Sequence, residues 1–325
     1  MHVIRGLINL PKLEQGCALT IGNFDGVHRG HQAVISKLAE KARELNLPVV
    51  VMLFEPQPIE YFRPETTPAR LSRLRDKVML LQTLPVNYLL ILRFNHALSR
   101  LSSAEFVRKI LADGLNTKYL VVGDDFRFGY QRSGDYELLK SLAARFGFTV
   151  ENTGSHSIDG ERVSSTLIRD ALAAGDLDRA KRFLGRPFSI NGKVIQGNQN
   201  GRAIGFPTAN IAILHKNPPV RGVFAVTMTR FRNREWAGVA NVGVRPTFGG
   251  RSVFFLEVHL FDFESNLYGS FVEVHFHEKI RDEIRFGSVG ELQQRIRQDV
   301  VAAREILGRR FGMTDHLIDS ERPRF

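Results

Sequence analysis

The chain has 325 residues, of which 43% are hydrophobic and 24% are charged, and its formal net charge is +11. This length favours two domains, and no apolar run reaches the roughly 18 residues that a membrane span needs. The N-terminal segment has no long apolar stretch followed by a cleavage site, so we expect a cytoplasmic protein.

The positive charge is compatible with nucleic acid or with small polyanions such as nucleotides. Because the basic residues are spread along the chain, a solvated basic surface is favoured over a nucleic-acid groove, and no membrane partner is expected. The single cysteine, Cys17, excludes an intramolecular disulfide and a cysteine-rich metal site. It falls in a predicted strand, where an inert buried thiol is expected.

Short apolar runs alternate with helical patterns through the first half of the chain. Strands are predicted at 17–22, 48–54, 87–92, 118–123 and 148–152. Helices are predicted at 31–46, 71–84, 103–112 and 136–146. This order predicts a Rossmann-like α/β domain with a parallel sheet, in which ligands bind beyond the carboxyl ends of the strands.

The pattern changes near residue 186, after a segment at 173–187 that is typical of a last helix and a hinge. Residues 222–231, 252–263 and 271–277 are strand-like, and the last run places Val272, Val274 and Phe276 on one face. Gly, Pro and Asn clusters separate these runs, which predicts an antiparallel barrel or sandwich. A helix near 289–308 follows. The predicted domains are therefore 1–185 and 186–325.

The stretch TIGNFDGVHRGH, residues 20–31, links the first predicted strand to a helix. Zinc binding by His28 and His31 is disfavoured, because a helical pair prefers i, i+4 spacing and needs a further ligand. Capping or packing roles are the alternative, but they do not explain the glycines at 22, 26 and 30. Glycines at a strand-to-helix turn let backbone N–H groups approach an anion, so phosphate binding is favoured.

The residues His28-Arg29-Gly30-His31 resemble the HxGH signature of the nucleotidyltransferase superfamily. The longer stretch GNFDGVHRGHQ resembles the N-terminal motif of the prokaryotic bifunctional riboflavin kinase/FMN adenylyltransferase family. Three later segments resemble that family in the same order: FEPQP (54–58), GDDFRFGYQRSGD (123–135) and VSSTLIRDAL (163–172). The resemblance implies an FMN adenylyltransferase domain in the first half, although SST alone could be only a helix cap.

The resemblance also implies which residues serve this domain. The residues implied to stabilise charge on the α-phosphate and the leaving pyrophosphate are His28, His31, Ser165, Thr166 and Arg169. The residues implied to shape the nucleotide and flavin pocket are Gly22, Asn23, Phe24, Asp25, Gly30 and Asp125.

In the second half, GNQNGRAIGFPTAN (197–210) matches neither GxGxxG nor a Walker A loop, and alone it reads as a Gly-rich turn. Its end, GFPTAN, resembles the riboflavin kinase signature. The resemblance implies that Gly205 and Pro207 line the nucleotide site and that Thr208 and Asn210 hold Mg²⁺ with ATP. Magnesium binds few protein oxygens alongside phosphates and water, so this small ligand set is chemically sensible.

NVGVRPTF (241–248) and LEVHLFDF (256–263) also resemble the kinase family, and they imply that Glu257 is the base for the riboflavin hydroxyl. A surface carboxylate on an alternating strand is the alternative. KIRDEIRF (279–286) resembles a segment near the flavin and implicates Arg281, for which a solvated charged face is the alternative.

We therefore expect an enzyme that phosphorylates riboflavin to FMN and then adenylylates FMN to FAD, with ATP as co-substrate and Mg²⁺ as cofactor. Three alternatives stay open: a monofunctional adenylyltransferase with a flavin-binding barrel, a nucleotidyltransferase with another acceptor, and a basic nucleic-acid-binding protein. The oligomeric state and the passage of FMN between sites do not follow from the sequence. The tail 310–325 has no counterpart in the family, and we expect it to be mobile or to dock locally.

Overall fold

The structure is a computed structural model, and it describes residues 1–154, 156–197, 201, 204–213, 217–230, 234–246 and 252–311. The described residues form two compact units. The first comprises Met1–Pro68 and Ser72–Ser165, and the second comprises Ala69–Leu71 and the described residues from Thr166 onward. The predicted domain boundary between 185 and 186 stays a prediction. The tail expectation concerns residues that lie outside the described part beyond Phe311.

A six-stranded parallel sheet is the centre of the first unit. Its strands are β1 (His2–Arg5), β2 (Cys17–Ile21), β3 (Val49–Glu55), β4 (Tyr88–Arg93), β5 (Thr117–Val122) and β6 (Thr149–Asn152). Their spatial order is β1-β4-β3-β2-β5-β6, and every neighbouring pair runs parallel. This open sheet confirms the Rossmann-like prediction, with β1 as an edge strand that was not predicted.

Helices connect these strands, as the alternating pattern predicted. They are α1 (Arg29–Glu44), α2 (Pro58–Phe62), α3 (Leu74–Leu81), α4 (His96–Ser99), α5 (Ser103–Phe106) and α6 (Tyr136–Phe146). After α5 the chain continues as a π-helical turn, Val107–Ala112. Both ends of α6 are capped, since Asp135 accepts from the N–H of Leu138 and Gly147 ends the helix in the left-handed conformation. A short hairpin, β7 (Ser157–Ile158) and β8 (Glu161–Arg162), follows β6.

Both faces of the sheet are buried, because helices pack on each side and alternate residues of each central strand point to opposite sides. On one side Leu19 and Val50 pack with Leu139 of α6, and on the other Val51 packs with Ile35 of α1. Cys17 is completely buried, and burial raises the pKa of its thiol to about 12. The buried position predicted for this thiol is confirmed.

The second unit contains two helices, a closed barrel and a final helix. The helices that precede the barrel are α7 (Ser165–Ala174) and α8 (Leu177–Leu184). The barrel strands are β9 (Phe188–Ile195), β10 (Ala209–Ile211), β11 (Gly222–Arg230), β12 (Arg234–Pro246), β13 (Ser252–Leu260) and β14 (Phe271–Arg281). They close in the order β10-β13-β12-β11-β14-β9 with antiparallel pairing. The predicted antiparallel barrel is confirmed.

The last helix, α9 (Val289–Phe311), packs on the outer face of the barrel. Its Ala303 and Ile306 contact a cluster that includes Val223 of β11 and Val239 of β12. The intervening residues of these strands fill the barrel, since neighbours along a strand point to opposite faces. In β14 the predicted face, Val272, Val274 and Phe276, is buried in this interior.

Candidate functional site

The loop that follows β2 makes an unusually tight path into α1. Three of its residues have left-handed backbone angles, Phe24 at φ 46°, Gly26 at φ 81° and Val27 at φ 43°. Only Gly26 adopts this conformation without steric cost, so Phe24 and Val27 hold backbone strain. Such strain persists only where surrounding contacts enforce it, and both side chains are buried. The loop is therefore a rigid turn at the carboxyl edge of the sheet.

Asp25 anchors this turn to the rest of the first unit. Its buried Oδ1 accepts from the backbone N–H of Ser72 at 3.0 Å, and Ser72 Oγ in turn accepts from the N–H of Gly26 at 2.8 Å. The Oγ of Ser165 donates to the backbone carbonyl of Asp25 at 3.0 Å. Asp25 thus joins three segments of the chain: the loop after β2, the segment that contains Ser72, and the segment that contains Ser165. Ser72 was missed from sequence, because only a contact across 47 positions gives it a role.

The two histidines of the motif lie together at the start of α1. His28 caps the helix, since its Nδ1 accepts from the N–H of His31 at 3.3 Å. The two rings stack with centroids 3.6 Å apart and planes 15° apart. A Cβ at Gly30 would lie 3.2 Å from the His28 ring. Glycine at position 30 therefore leaves room for the stacked pair, and the capping role proposed as the alternative is present for His28.

The surroundings of His31 favour its neutral form. Burial lowers its pKa well below the usual value, and the electrostatic influence of His28 and Lys77 lowers that pKa further. Within the described part of the chain, its buried Nδ1 has no hydrogen-bond partner. Lys77 is fully buried in the same unit. A buried cation near a helix N-terminus favours an anion, so this end of α1 can receive phosphate groups.

The remaining predicted residues of this group are less enclosed. Asn23 is exposed beside the turn, and Asp125 is exposed after β5, just before the stacked rings of Phe126 and Phe128. Thr166 is exposed on α7. Arg169, also on α7, donates from Nε to the carbonyl of Ala69 at 2.5 Å within the second unit. The first unit thus brings together the residues Gly22, Phe24, Asp25, His28, Gly30, His31 and Ser165.

The second unit contains a cavity of about 300 Å³ on the outer face of the barrel. It lies between strands β10, β12 and β13 and the first turns of α9. Its polar lining consists of Thr208, Asn210, Asn241, Glu257, His259, Arg281, Glu283 and Asp299. Apolar side chains that include Phe206 and Phe286 complete it. A cavity of this size with converging polar groups suits a small-molecule ligand.

Three polar residues form one row across this wall. Asn210 of β10 is paired directly with Glu257 of β13, and Glu257 is paired on its other side with Asn241 of β12. Directly paired residues of an antiparallel sheet project from the same face, so the carboxylate lies between two amides. The buried Oδ1 of Asn241 has no hydrogen-bond partner in the described part of the structure.

The loop that carries Pro207 and Thr208 is held against the barrel. The Nδ1 of His259 is 2.8 Å from the carbonyl oxygen of Pro207. Gly205 has φ 82°, where only glycine is unstrained. Alternation along β13 places His259 on the same face as Glu257, and this spacing could have identified His259 from sequence.

Arg281 is part of a buried ion pair rather than a solvated face. Its Nε and Nη2 donate to the two carboxylate oxygens of Asp299 at 2.9 and 2.7 Å, and Asp299 is only 3% exposed. This pairing fixes the guanidinium of β14 to α9. Asp299 was missed from sequence, because a helical pattern does not reveal which acid is buried.

The described residues contain no group of three or more His, Cys, Asp or Glu side chains that could hold a metal. The wall that carries Thr208, Asn210 and Glu257 instead offers hydroxyl, amide and carboxylate oxygens. Magnesium prefers oxygen ligands and keeps several waters or phosphates, so this set fits a magnesium–nucleotide complex.

Comparison with known proteins matches both halves of the chain. A family model described as FAD synthetase matches residues 10–167, and one described as riboflavin kinase matches residues 184–307. A Haemophilus influenzae protein named bifunctional riboflavin kinase/FMN adenylyltransferase is 48% identical over 94% of this chain and 98% of its own length. The Escherichia coli K12 protein of the same name is 47% identical over 95% of this chain and 98% of its own.

One solved structure is also similar over nearly the whole chain. It is a crystal structure from Streptococcus pneumoniae described as a macrolide-efflux protein, with 29% sequence identity and a TM-score of 0.79. The match covers 94% of this chain and 99% of that one. In the part of the chain described here, no helix is long and apolar enough to cross a membrane.

Proposed function

Because the chain belongs to the bifunctional riboflavin kinase/FMN adenylyltransferase family, we propose that its two activities take place at the two sites described above. The protein is a riboflavin kinase and an FMN adenylyltransferase. The observation that carries the assignment of sites is the row Asn210–Glu257–Asn241 inside a cavity of the unit that the kinase model matches.

The kinase reaction is assigned to the barrel cavity. The terminal hydroxyl of riboflavin attacks the γ-phosphorus of ATP and gives its proton to a base, and ADP leaves. Glu257 is the proposed base, since an alcohol is a poor nucleophile until a carboxylate takes its proton. Thr208 and Asn210 are the proposed ligands of Mg²⁺, which when bound neutralises charge on the phosphate oxygens.

The flavin ring is assigned to the apolar part of the same cavity. Phe206 and Phe286 line it, together with the guanidinium of Arg281 that Asp299 holds in place. Gly205 and Pro207 are proposed to shape the loop around the nucleotide, since His259 holds that loop against β13. Each of these roles is a proposal that follows from position in the cavity and from the family motif.

The adenylyl transfer is assigned to the start of α1. A phosphate oxygen of FMN attacks the α-phosphorus of a second ATP, and pyrophosphate leaves. This nucleophile is already anionic, so the site needs hydrogen-bond donors and positive potential rather than a base. His28 and His31 at the helix N-terminus are proposed to provide them, and a neutral imidazole still has one N–H to donate.

The other residues of this site are proposed from their position in the turn or from the family motif alone. Gly22, Asn23, Phe24, Asp25 and Gly30 belong to the rigid turn that carries the histidines. Ser165, Thr166 and Arg169 are proposed for the same step from the family motif, and Asp125 for the flavin loop. Both reactions consume ATP, so we also propose a cytoplasmic location, with riboflavin, FMN and ATP as the substrates.

Two variants test the division of labour. Asn210→Ala should abolish phosphorylation of riboflavin and keep the conversion of FMN to FAD, because only the kinase site loses a proposed ligand. His31→Ala should keep the kinase and lose the adenylyl transfer. Each activity is measured separately by chromatography of flavins, with riboflavin or with FMN as the substrate.

Circular dichroism of each variant shows whether it is folded. If each folded variant lost both activities, the assignment to two separate sites would be wrong. An unaltered protein that converts FMN to FAD but does not phosphorylate riboflavin would instead support a monofunctional adenylyltransferase.

A further inference from the structure

Asn241 is the one member of the polar row that has no part in the mechanism above. It lies on β12, directly opposite Glu257, and it lines the same cavity. Asn210 lies on the other side of Glu257. The row therefore consists of Asn210, the proposed Mg²⁺ ligand, then Glu257, the proposed base, and then Asn241, which has no assigned role.

The oxygen of this amide lacks a donor. Oδ1 of Asn241 is buried and makes no hydrogen bond within the described part of the chain. Buried acceptors are nearly always paired, and leaving one unpaired is unfavourable. A donor to this oxygen is thus expected from a bound molecule.

The neighbouring side chains direct their hydrogen bonds elsewhere. Glu257 as a carboxylate can only accept. The Nε and Nη2 of Arg281 donate to Asp299, and its Nη1 donates to the carbonyl of Asp282 at 2.9 Å. On the same wall, the Nδ1 of His259 faces the Pro207 carbonyl.

The position of Asn241 indicates which molecule supplies the donor. Phosphoryl transfer needs the attacking and leaving oxygens roughly in line across the phosphorus. With ATP on the Asn210 side of Glu257, the acceptor substrate approaches from the Asn241 side. Paired side chains in a sheet have Cβ atoms only about 5 Å apart, so hydroxyls on adjacent carbons can meet Glu257 and Asn241 together.

We propose that Oδ1 of Asn241 accepts a hydrogen bond from the secondary ribityl hydroxyl next to the terminal one, and thereby positions the terminal hydroxyl at Glu257. Asn241 then selects a polyol chain over a simple alcohol. The proposal rests on the proposed function, since it takes the cavity as the kinase site.

The test combines a protein change with a substrate change. The value of kcat/KM is measured for riboflavin and for 4′-deoxyriboflavin, with the unaltered protein and with Asn241→Ala. One hydrogen bond corresponds to roughly a tenfold preference for riboflavin in the unaltered protein. In Asn241→Ala, kcat/KM for riboflavin should fall by about the same factor, and the preference should disappear.

Two further variants keep the test decisive. Asn241→Leu, of similar shape, replaces Asn241→Ala if the latter does not fold, with circular dichroism and urea unfolding as the measures of folding. Asn266→Ala changes an exposed turn asparagine and should keep the full preference.

The results that would contradict the inference differ from those that would contradict the proposed function. A preference of the same size in the unaltered protein and in the Asn241 variants would overturn the inference and leave the kinase assignment intact. Unchanged kcat/KM for riboflavin in those variants would also overturn it. No phosphorylation of riboflavin by the unaltered protein would overturn the proposed function itself.

Discussion

Replacing Gly197 by alanine should weaken the kinase without unfolding the protein. A Cβ built at this position lies 2.5 Å from Cγ and 2.7 Å from Oδ1 of Asn210. The backbone of Gly197 is not left-handed, so alanine itself fits the chain there. Because a side-chain amide rotates more easily than a strand shifts, we expect Asn210 to move away.

The size of the effect follows from these distances. Ordinary contact begins near 3.4 Å, so the Cγ of Asn210 must retreat by about 1 Å. A displacement of about 1 Å in a positioning group can reduce a rate by about 10²-fold. That factor corresponds to about 2.7 kcal/mol of transition-state stabilisation. The folded protein should lose little stability, since alanine restricts the unfolded chain more than glycine does.

The assay is steady-state kcat/KM for both reactions in the same preparation. Gly197→Ala should lower the value for riboflavin about a hundredfold and leave the value for FMN unchanged. Gly290→Ala is the matched control, because the nearest heavy atom to its added Cβ is 4.0 Å away. Native kinase activity in a folded Gly197→Ala protein would refute the role given to the Asn210 amide.

Three further predictions concern stability and the two sites. His277 is 5% exposed, and burial is the main cause that lowers its pKa to about 4. The unfolded chain binds a proton at this residue near pH 6.5, so the free energy of unfolding should be full above that pH and about 2 kcal/mol lower at pH 5. Urea unfolding of His277→Gln should show a smaller loss between these two pH values. An equal loss in both proteins would contradict this. Ser72→Ala removes the Oγ that accepts from the N–H of Gly26 and that also donates to Oδ1 of Asp25 at 3.4 Å. It should cost about 1–3 kcal/mol in urea unfolding and slow adenylyl transfer more than the kinase, and equal slowing of both would count against a local role. Glu257→Gln should lower the kinase kcat about 10²–10⁴-fold and spare adenylyl transfer, and a kinase kcat near the native value would exclude Glu257 as the base.

The strands and long helices could be predicted because burial imposes a period on the sequence. The alternation of Val272, Val274 and Phe276 was sufficient for β14, and the apolar run at 48–54 was sufficient for β3. Short elements carry too few residues for a period. β1 has only Ile4 buried, and β10 is three residues long, so neither shows a pattern of its own.

Some irregular features depend on contacts that a one-dimensional pattern does not contain. The segment 173–187 was predicted to hold a last helix and a hinge, and α8 does lie there, but its start at Leu177, three residues after α7 ends at Ala174, was not predicted. Gly175 has φ 80° between them, which ends one helix and allows the next to begin at the Asp176 cap. The helix predicted at 103–112 changes to a π-helical turn after Phe106.

The residues of the candidate sites were also predicted only in part. Local sequence motifs singled out His28 and His31, and the resemblance to a known family singled out Glu257; their roles stay proposals. The residues that hold the sites together were not predicted, since Ser72 contacts Asp25 and Asp299 contacts Arg281 only across distant segments of the chain. The reason for Gly30 is also spatial, because it makes room for the ring of His28.

The two sites should act independently and in sequence, and mixing two variants tests this most directly. Asn210→Ala alone should give no product from riboflavin, ATP and Mg²⁺, and His31→Ala alone should give only FMN. Together they should produce FAD, because FMN released by one protein is adenylylated by the other. FMN that accumulates in the mixture without FAD, although Asn210→Ala converts added FMN, would contradict free transfer between sites. Failure of Asn210→Ala to convert added FMN would contradict their independence.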